Sequence, residues 1–353
     1  MSDKVVITGA GVVSPFGTSR EKLFQSLLDK KNGLRKITAF DPSTCNCEIA
    51  GEVDNELINV RQAVPKNHRK AIKLMCRDIQ FSVVAAKEAL IDAKIQTIST
   101  QEDPTINPNR VGCHIGAGFI SADLNELTNA QFVSKTKENT LDLKDWGQNG
   151  MKHLTPLWLL KYLPNMLACH VTIIHDCRGP SNTITCSEAS SGLSIAESVR
   201  CIQRGSADAC LSGGIESKIN LMAYFRKDRN NELLKSNQTS TLPEPYGSTN
   251  GTVLGEGGAI LTIESEKVAQ ERNAKPLGEI AGIGSSQSFC EHPLSVDPTS
   301  IQYAVEAALS MADINSQSVD AILPLGSGIN SIDNSEVSGL KNVFGKNLKN
   351  IPI

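Results

Sequence analysis

A short pattern occurs twice in this chain, and it constrains the fold more than any other feature. Ala89-Leu90-Ile91-Asp92-Ala93-Lys94-Ile95 returns as Ala308-Leu309-Ser310-Met311-Ala312-Asp313-Ile314. Each copy is followed by a short apolar run that reads as a strand. Each run then leaves through a Gly-x-Gly step, Ile115-Gly116-Ala117-Gly118-Phe119 in the first and Leu325-Gly326-Ser327-Gly328-Ile329 in the second. The first copy closes a helix predicted over 78–93, because Ile79, Val83, Ala86 and Leu90 recur at helical spacing. Helix, strand and glycine exit in the same order predict a duplicated α/β unit. The halves are expected over residues 1–265 and 266–353.

Composition narrows the function classes. With 40% hydrophobic and 21% charged residues in 353, the chain is an ordinary globular protein. A net charge of -3 gives no basic stripe to neutralise phosphates, so nucleic acid and anionic membranes are poor partners. A local basic patch for an acyl carrier stays open. The start, MSDKVVITGAGVV, has no long apolar run, and no stretch reaches membrane-spanning length, so a cytoplasmic location is expected. The ten cysteines are scattered singly apart from Cys45 and Cys47, which favours reduced thiols over disulfides or zinc. No pair among the six histidines has metal-ligand spacing. His68 lies in a basic surface run, His114 and His170 in core-like segments, and His153, His175 and His292 in polar surroundings. No cofactor is expected.

The opening reads as a buried strand over 5–8 and a Gly-rich turn. A helix follows, capped by Thr18 and Glu21, with Leu23, Phe24, Leu27 and Leu28 as its apolar face and Gly33 as its stop. Gly9-Ala10-Gly11 lacks the third glycine of a dinucleotide loop and Pro15 interrupts the helix start, so a tight strand-to-loop turn is the better reading. Residues 120–153 and 230–250 are polar and read as surface excursions. Trp158, Tyr162 and the apolar residues over 157–174 suit either packing core or the lining of an acyl tunnel.

The chemically decisive stretch is Arg178-Gly179-Pro180-Ser181-Asn182-Thr183-Ile184-Thr185-Cys186-Ser187-Glu188-Ala189-Ser190-Ser191-Gly192. It predicts a turn, a strand and a sharp elbow into a helix continued by Ile195, Val199 and Ile202 and ended near Gly205. Such an elbow holds one residue at a helix N-terminus, where backbone N–H groups stabilise an anion.

Together with Ala207 to Glu216, this stretch resembles the core of elongating β-ketoacyl-acyl-carrier-protein synthases. Val5 to Gly17, Phe40-Asp41-Pro42, Arg110 to Gly118, Leu154 to Ile174, Gly255-Glu256-Gly257-Gly258 and Asp320 to Gly345 match in order as well. The resemblance implies a thiolase-like fold of duplicated αβαβα layers. In active relatives the nucleophilic cysteine lies seven residues after the Gly-Pro-Ser serine and twenty before an aspartate. Counting from Ser181 and from Asp208 reaches Glu188 both times. Cys186 falls two residues early, on the incoming strand, and is the alternative nucleophile. Where the family carries a histidine eight residues before an aspartate, this chain has Leu325 before Asp333. The sequence stops at Ile353, where the family continues into a further strand, a second histidine segment and a glycine-rich loop, so the C-terminal half is expected to be incomplete.

A carboxylate attacks and leaves a thioester poorly, and leucine donates no hydrogen bond to a malonyl thioester. The resemblance therefore implies a catalytically impaired relative similar to chain-length factors, which usually carry glutamine at the elbow. Such subunits pair with an active ketosynthase and serve an acyl carrier protein. The alternatives are an active synthase or acyltransferase that uses Cys186, or Glu188 as a base, and a homodimer that binds acyl carriers without catalysis.

Overall fold

The computed structural model describes residues 4–100, 103–235, 242–292 and 294–353. Five strands form the central sheet: β1 (Val5–Val13), β2 (Val111–Gly116), β3 (Ser181–Ile184), β4 (Ala209–Ser217) and β5 (Leu254–Ser265). Their order is β3-β2-β4-β5-β1, and small strands at Arg35–Lys36, Ile49–Gly51 and Gly278–Glu279 extend it. β3, β2 and β4 are parallel, whereas β5 runs antiparallel to both β4 and β1.

Alternation along the strands separates two cores. Cys113, Ile115 and Leu211 pack beneath α2 (Arg77–Asp92) and α3 (Met166–His175). Cys210 and Ile263 face α4 (Ser190–Gln203), where they meet Val199, Cys201 and Ile202. The result is helix, sheet and helix in three layers, with β2 buried along its whole length. The second half contributes α6 (Pro298–Ala312) and α7 (Asn330–Phe344), which pack on one another. Of the remaining helices, α1 spans Arg20–Leu28 and α5 spans Leu221–Arg229.

The duplication is visible at the atomic level. On β1, a Cβ added to Gly11 would lie 1.9 Å from the Ala85 carbonyl oxygen, and one at Gly9 would lie 2.4 Å from that of Ala89. In the second half, a Cβ at Gly284 would lie 1.9 Å from the Ala304 oxygen and one at Gly282 2.1 Å from that of Ala308. In both halves an extended segment without side chains lets an alanine-faced helix lie directly on it.

Several expectations are corrected. The opening strand does not turn at Gly9 but continues to Val13, because the two glycines face α2. Helix α1 is capped by Ser19, one residue after Thr18, with its hydroxyl accepting from the Lys22 N–H. Phe24, Leu27 and Leu28 are exposed, since α1 lies at the periphery and buries only Ser26. The apolar run after α6 forms no ladder. Val319 and Ile322 instead pack on Leu340, Phe344 and Ile351, and the Ile322 N–H donates to Pro352. His175 is buried against the Thr97 and Ser99 hydroxyls instead of lying in a solvated segment, and burial pushes its imidazole down to about 4. All ten cysteines are free thiols. Among the described residues no helix is long and apolar enough to cross a membrane.

β5 carries two buried carboxylates, each gripped by an arginine. Glu264 accepts from the Arg272 guanidinium at 2.7 and 2.5 Å and from the Thr8 hydroxyl. Glu256 accepts from Arg77 at 2.7 and 2.6 Å, from the Ser217 hydroxyl and from the Val53 N–H. Removing one partner of such a pair leaves a buried charge uncompensated.

Gly11→Ala is expected to destabilise the fold by about 1–3 kcal/mol, because strand and helix must separate. Gly192→Ala has open space around the added methyl and sits in a helix, so it is expected to stabilise by about 0.5–1 kcal/mol. Guanidinium unfolding of both variants checks the pair, and equal effects would contradict the close approach.

Candidate functional site at the strand-to-helix elbow

β3 is a sheet edge whose last carbonyl, on Ile184, accepts from the Ala117 N–H at 3.0 Å. The chain then turns through Thr185, Cys186 and Ser187, with Ser187 in the left-handed region at φ 51°. Ser190 holds the turn: its hydroxyl accepts from the Cys186 N–H at 2.8 Å and donates to the Ser187 carbonyl at 2.6 Å. Glu188 stands at the apex, two residues before α4 begins. Missing side chains let the helix start press onto the sheet. A Cβ at Gly116 would lie 2.5 Å from the Ser190 backbone, and one at Gly214 2.5 Å from the Ser191 Cβ. A depression of about 180 Å3 forms between Gly116, Gly118, Ser187, Glu188, Gly214 and Glu216, at the C-terminal ends of β2 and β4.

The Glu188 side chain is 61% exposed, and the Lys227 Nζ approaches it to 4.0 Å. Lys227 is shared with Glu232. Partial burial raises the Glu188 carboxyl, but the Ser187 hydroxyl, its own backbone N–H, Lys227 and Lys218 outweigh it and hold the group below the usual glutamate range. Glu188 is thus an ionised carboxylate at neutral pH beside a helix N-terminus, a comfortable place for negative charge. It has no proton to donate. Cys186 is exposed on the incoming turn and is not among the residues that line the depression.

Leu325 belongs to a loop shaped by acids at the start of α7. Its N–H donates to Glu336 at 2.9 Å, and its side chain, 55% exposed, offers no polar atom. Asp333 accepts from the Ser327 N–H and hydroxyl, the Gly328 N–H and the Tyr246 N–H. The Tyr246 hydroxyl donates to Glu336 at 2.5 Å and accepts from the Gly326 N–H. Leu325 does not line the depression at Glu188. Glu336 and Tyr246 escaped sequence reasoning. The only signal was that Asp333 and Glu336 fall at i and i+3 on a helix.

A second cavity, of about 390 Å3, lies beside the first, where β4 ends at Ser217 and the chain runs on through Ile219. Tyr162 lines it with Phe40, Met75 and Met222, whereas Trp158 does not and packs against Tyr162 with ring centres 5.2 Å apart and planes tilted by 56°. Its buried acid is Asp78, which accepts from the Ser217 N–H and whose carboxyl burial pushes up to about 6.

Carboxyl-detected NMR is expected to show Glu188 titrating below an ordinary glutamate. Ser187→Ala should raise its pKa, and Lys227→Met should raise it less, since each removes a group that favours the charged form. An unshifted Glu188 in both variants would contradict this electrostatic description.

Comparison with known proteins agrees with this arrangement. The beta-ketoacyl synthase N-terminal domain family matches residues 2–269, and the corresponding C-terminal domain family matches residues 277–353. A 3-oxoacyl-[acyl-carrier-protein] synthase 2 of Staphylococcus aureus is 30% identical, over 99% of this chain and 79% of its own length. Among solved structures, the ishigamide ketosynthase/chain length factor superposes with a TM-score of 0.78 at 22% identity, covering 98% of this chain and 79% of that one. A type II polyketide acyl-carrier protein in complex with its ketosynthase gives a TM-score of 0.80 at 21% identity, covering 100% of this chain and 80% of the matched chain. The mixed sheet between two helical layers is the thiolase-like fold that these proteins share. With both of its domain families matched in order along nearly the whole sequence, the chain belongs to the beta-ketoacyl synthases.

Proposed function

We propose that this chain is a non-condensing, chain-length-factor-like subunit that pairs with an active ketosynthase in fatty acid or polyketide-type acyl chain synthesis. The observation that carries the reading is the ionised carboxylate of Glu188 at the apex of the elbow, where the resemblance calls for a nucleophilic thiol. A thiolate attacks a thioester and leaves again, while a carboxylate does both poorly. Leu325, at the histidine position of the family, removes a donor that would polarise a malonyl thioester. Residues 1–265 then supply the elbow and residues 266–353 the loop of Leu325.

Two further features favour a partnered role. β3 is an edge strand whose Ser181 and Asn182 are exposed, and an unpaired edge beside the site can pair with another subunit. Lys218 and Lys227 approach Glu188 while pairing with Glu216 and Glu232, and the exposed Arg226 of α5 stacks over Phe119 at 4.3 Å. The exposed Arg226 and Arg229 on α5 offer cationic contacts that suit an acidic acyl carrier, despite the net charge of -3.

The exposure of Cys186 favours one other reading, an active synthase that uses this thiol. A homodimer that binds carriers without catalysis would need no ketosynthase at all. Co-expression with a cysteine-containing ketosynthase separates the three. The proposal expects a heterodimer whose product length changes when residues beside Glu188 are enlarged, and a chain that makes no product alone. Stable homodimers that ignore the ketosynthase would overturn it.

In the isolated chain, Glu188→Cys is expected to gain acylation at residue 188 without condensation, because one missing polarising donor costs about 100-fold to 1000-fold in rate. Condensation at the rate of an ordinary synthase would show that Leu325 is no obstacle.

A further inference from the structure

Helix α4 carries a second group of polar side chains, near its C-terminal end and away from the elbow. His114 points from β2 to the α4 side of the sheet, opposite to Cys113 and Ile115. Glu197 and Cys201 stand one helical turn apart on α4 and meet it there. The Cys201 Sγ lies 3.7 Å from the His114 Nε2 and 3.5 Å from the Glu197 Oε1, and all three donor atoms fall within 4.8 Å of one another. Among the described residues this is the one group of three such side chains with that spacing.

The distances fit a definite chemistry. Zinc binds thiolate at about 2.3 Å and imidazole or carboxylate at about 2.0–2.2 Å, and a tetrahedron of such bonds separates neighbouring ligand atoms by roughly 3.5 Å. The separations of 3.7 and 3.5 Å lie at or just above that value. The outer shell is also in place: the Ser198 hydroxyl engages the His114 Nδ1 at 3.0 Å, which leaves Nε2 turned toward the thiol.

We propose that His114 Nε2, Glu197 and Cys201 form a binding site for a borderline-soft divalent cation of the zinc class. Thiolate, imidazole and carboxylate together select such an ion over calcium or magnesium, which take oxygen ligands. Charge balances at each stage. Without the ion, Arg204 pairs with the Glu197 carboxylate at 3.1 Å. The Arg204 Nη2 also reaches the Cys201 Sγ at 2.9 Å, on the side of the cluster open to solvent. When the ion binds, the thiol gives its proton to water, the new metal–sulfur bond forms, and two anionic ligands match the two positive charges. Arg204, 53% exposed, swings into solvent and a water takes the fourth position. The sequence concealed this set because a strand histidine meets a Glu-x-x-x-Cys turn 83 residues downstream.

The test uses the full chain stripped of metal with a chelator and titrated with Co2+ and then Zn2+. Stoichiometric Co2+ binding is expected with a thiolate-to-cobalt charge-transfer absorption that Zn2+ bleaches. Cys201→Ser should abolish that band. Ser198→Ala should weaken binding at least about tenfold by freeing the His114 ring, and Arg204→Gln should tighten it as much as about fivefold by removing the competing cation. Circular dichroism and melting establish that each variant is folded, and the surface change Arg204→Gln gives a readout even if Cys201→Ser unfolds. Absence of the charge-transfer band in the parent protein, its survival in folded Cys201→Ser, or weaker binding in Arg204→Gln would overturn the proposal.

Discussion

Two segments of bare backbone, each pressed against an alanine-faced helix, determine where everything else lies. With no side chain at Gly9 and Gly11, α2 sits on β1 at a distance that one methyl group would prevent, and Gly282 and Gly284 do the same beneath α6. Interiors are packed too densely to absorb the extra volume elsewhere. β1 then fixes β5, and β5, running against both β1 and β4, ties the N-terminal strand to the parallel trio that carries the elbow. The buried Glu256 and Glu264 reinforce that central strand, each through an arginine from a different segment.

At the C-terminal edge of the parallel strands the same device recurs with chemical consequences. Gly116 and Gly214 bring the first turn of α4 down onto the sheet, so Glu188 is presented beside a helix N-terminus in a shallow hollow. A group placed there is stabilised as an anion whatever it is. A thiol would be activated by that environment, whereas a carboxylate is merely kept charged. Under the proposed function, this one position decides whether the elbow can carry an acyl group, without any change in the supporting backbone. The loop of Leu325 tells the same story: Asp333, Glu336 and Tyr246 hold it firmly, yet the side chain it displays is a hydrocarbon.

Much of this was legible in the residues. The paired Ala-rich helices with Gly-x-Gly exits disclosed a duplicated α/β unit, and the run from Arg178 to Gly192 disclosed the strand, elbow and helix around Glu188. What the residues concealed has physical causes. Periodicity showed an apolar stripe on α1 but not which way the helix would face, and Phe24 and Leu27 point outward. Glycine suggested a turn at Gly9, where the need was space for α2. A strand needs a neighbour to accept its hydrogen bonds, so the apolar run at 319–322 packs on α7 instead. His175 looked polar from its flanking residues and is buried by tertiary contacts with Thr97 and Ser99. The meeting of His114 with Glu197 and Cys201 depends on sheet and helix geometry that no local pattern encodes.

The direct measurement is the intact mass of the purified full chain after incubation with a long-chain acyl-carrier thioester, followed by peptide mapping. A mass unchanged from the untreated protein is expected, because the elbow offers a carboxylate and no thiolate at its apex. A stoichiometric acyl adduct on Cys186 or Glu188 would contradict a non-condensing role and return the chain to the ranks of the active synthases.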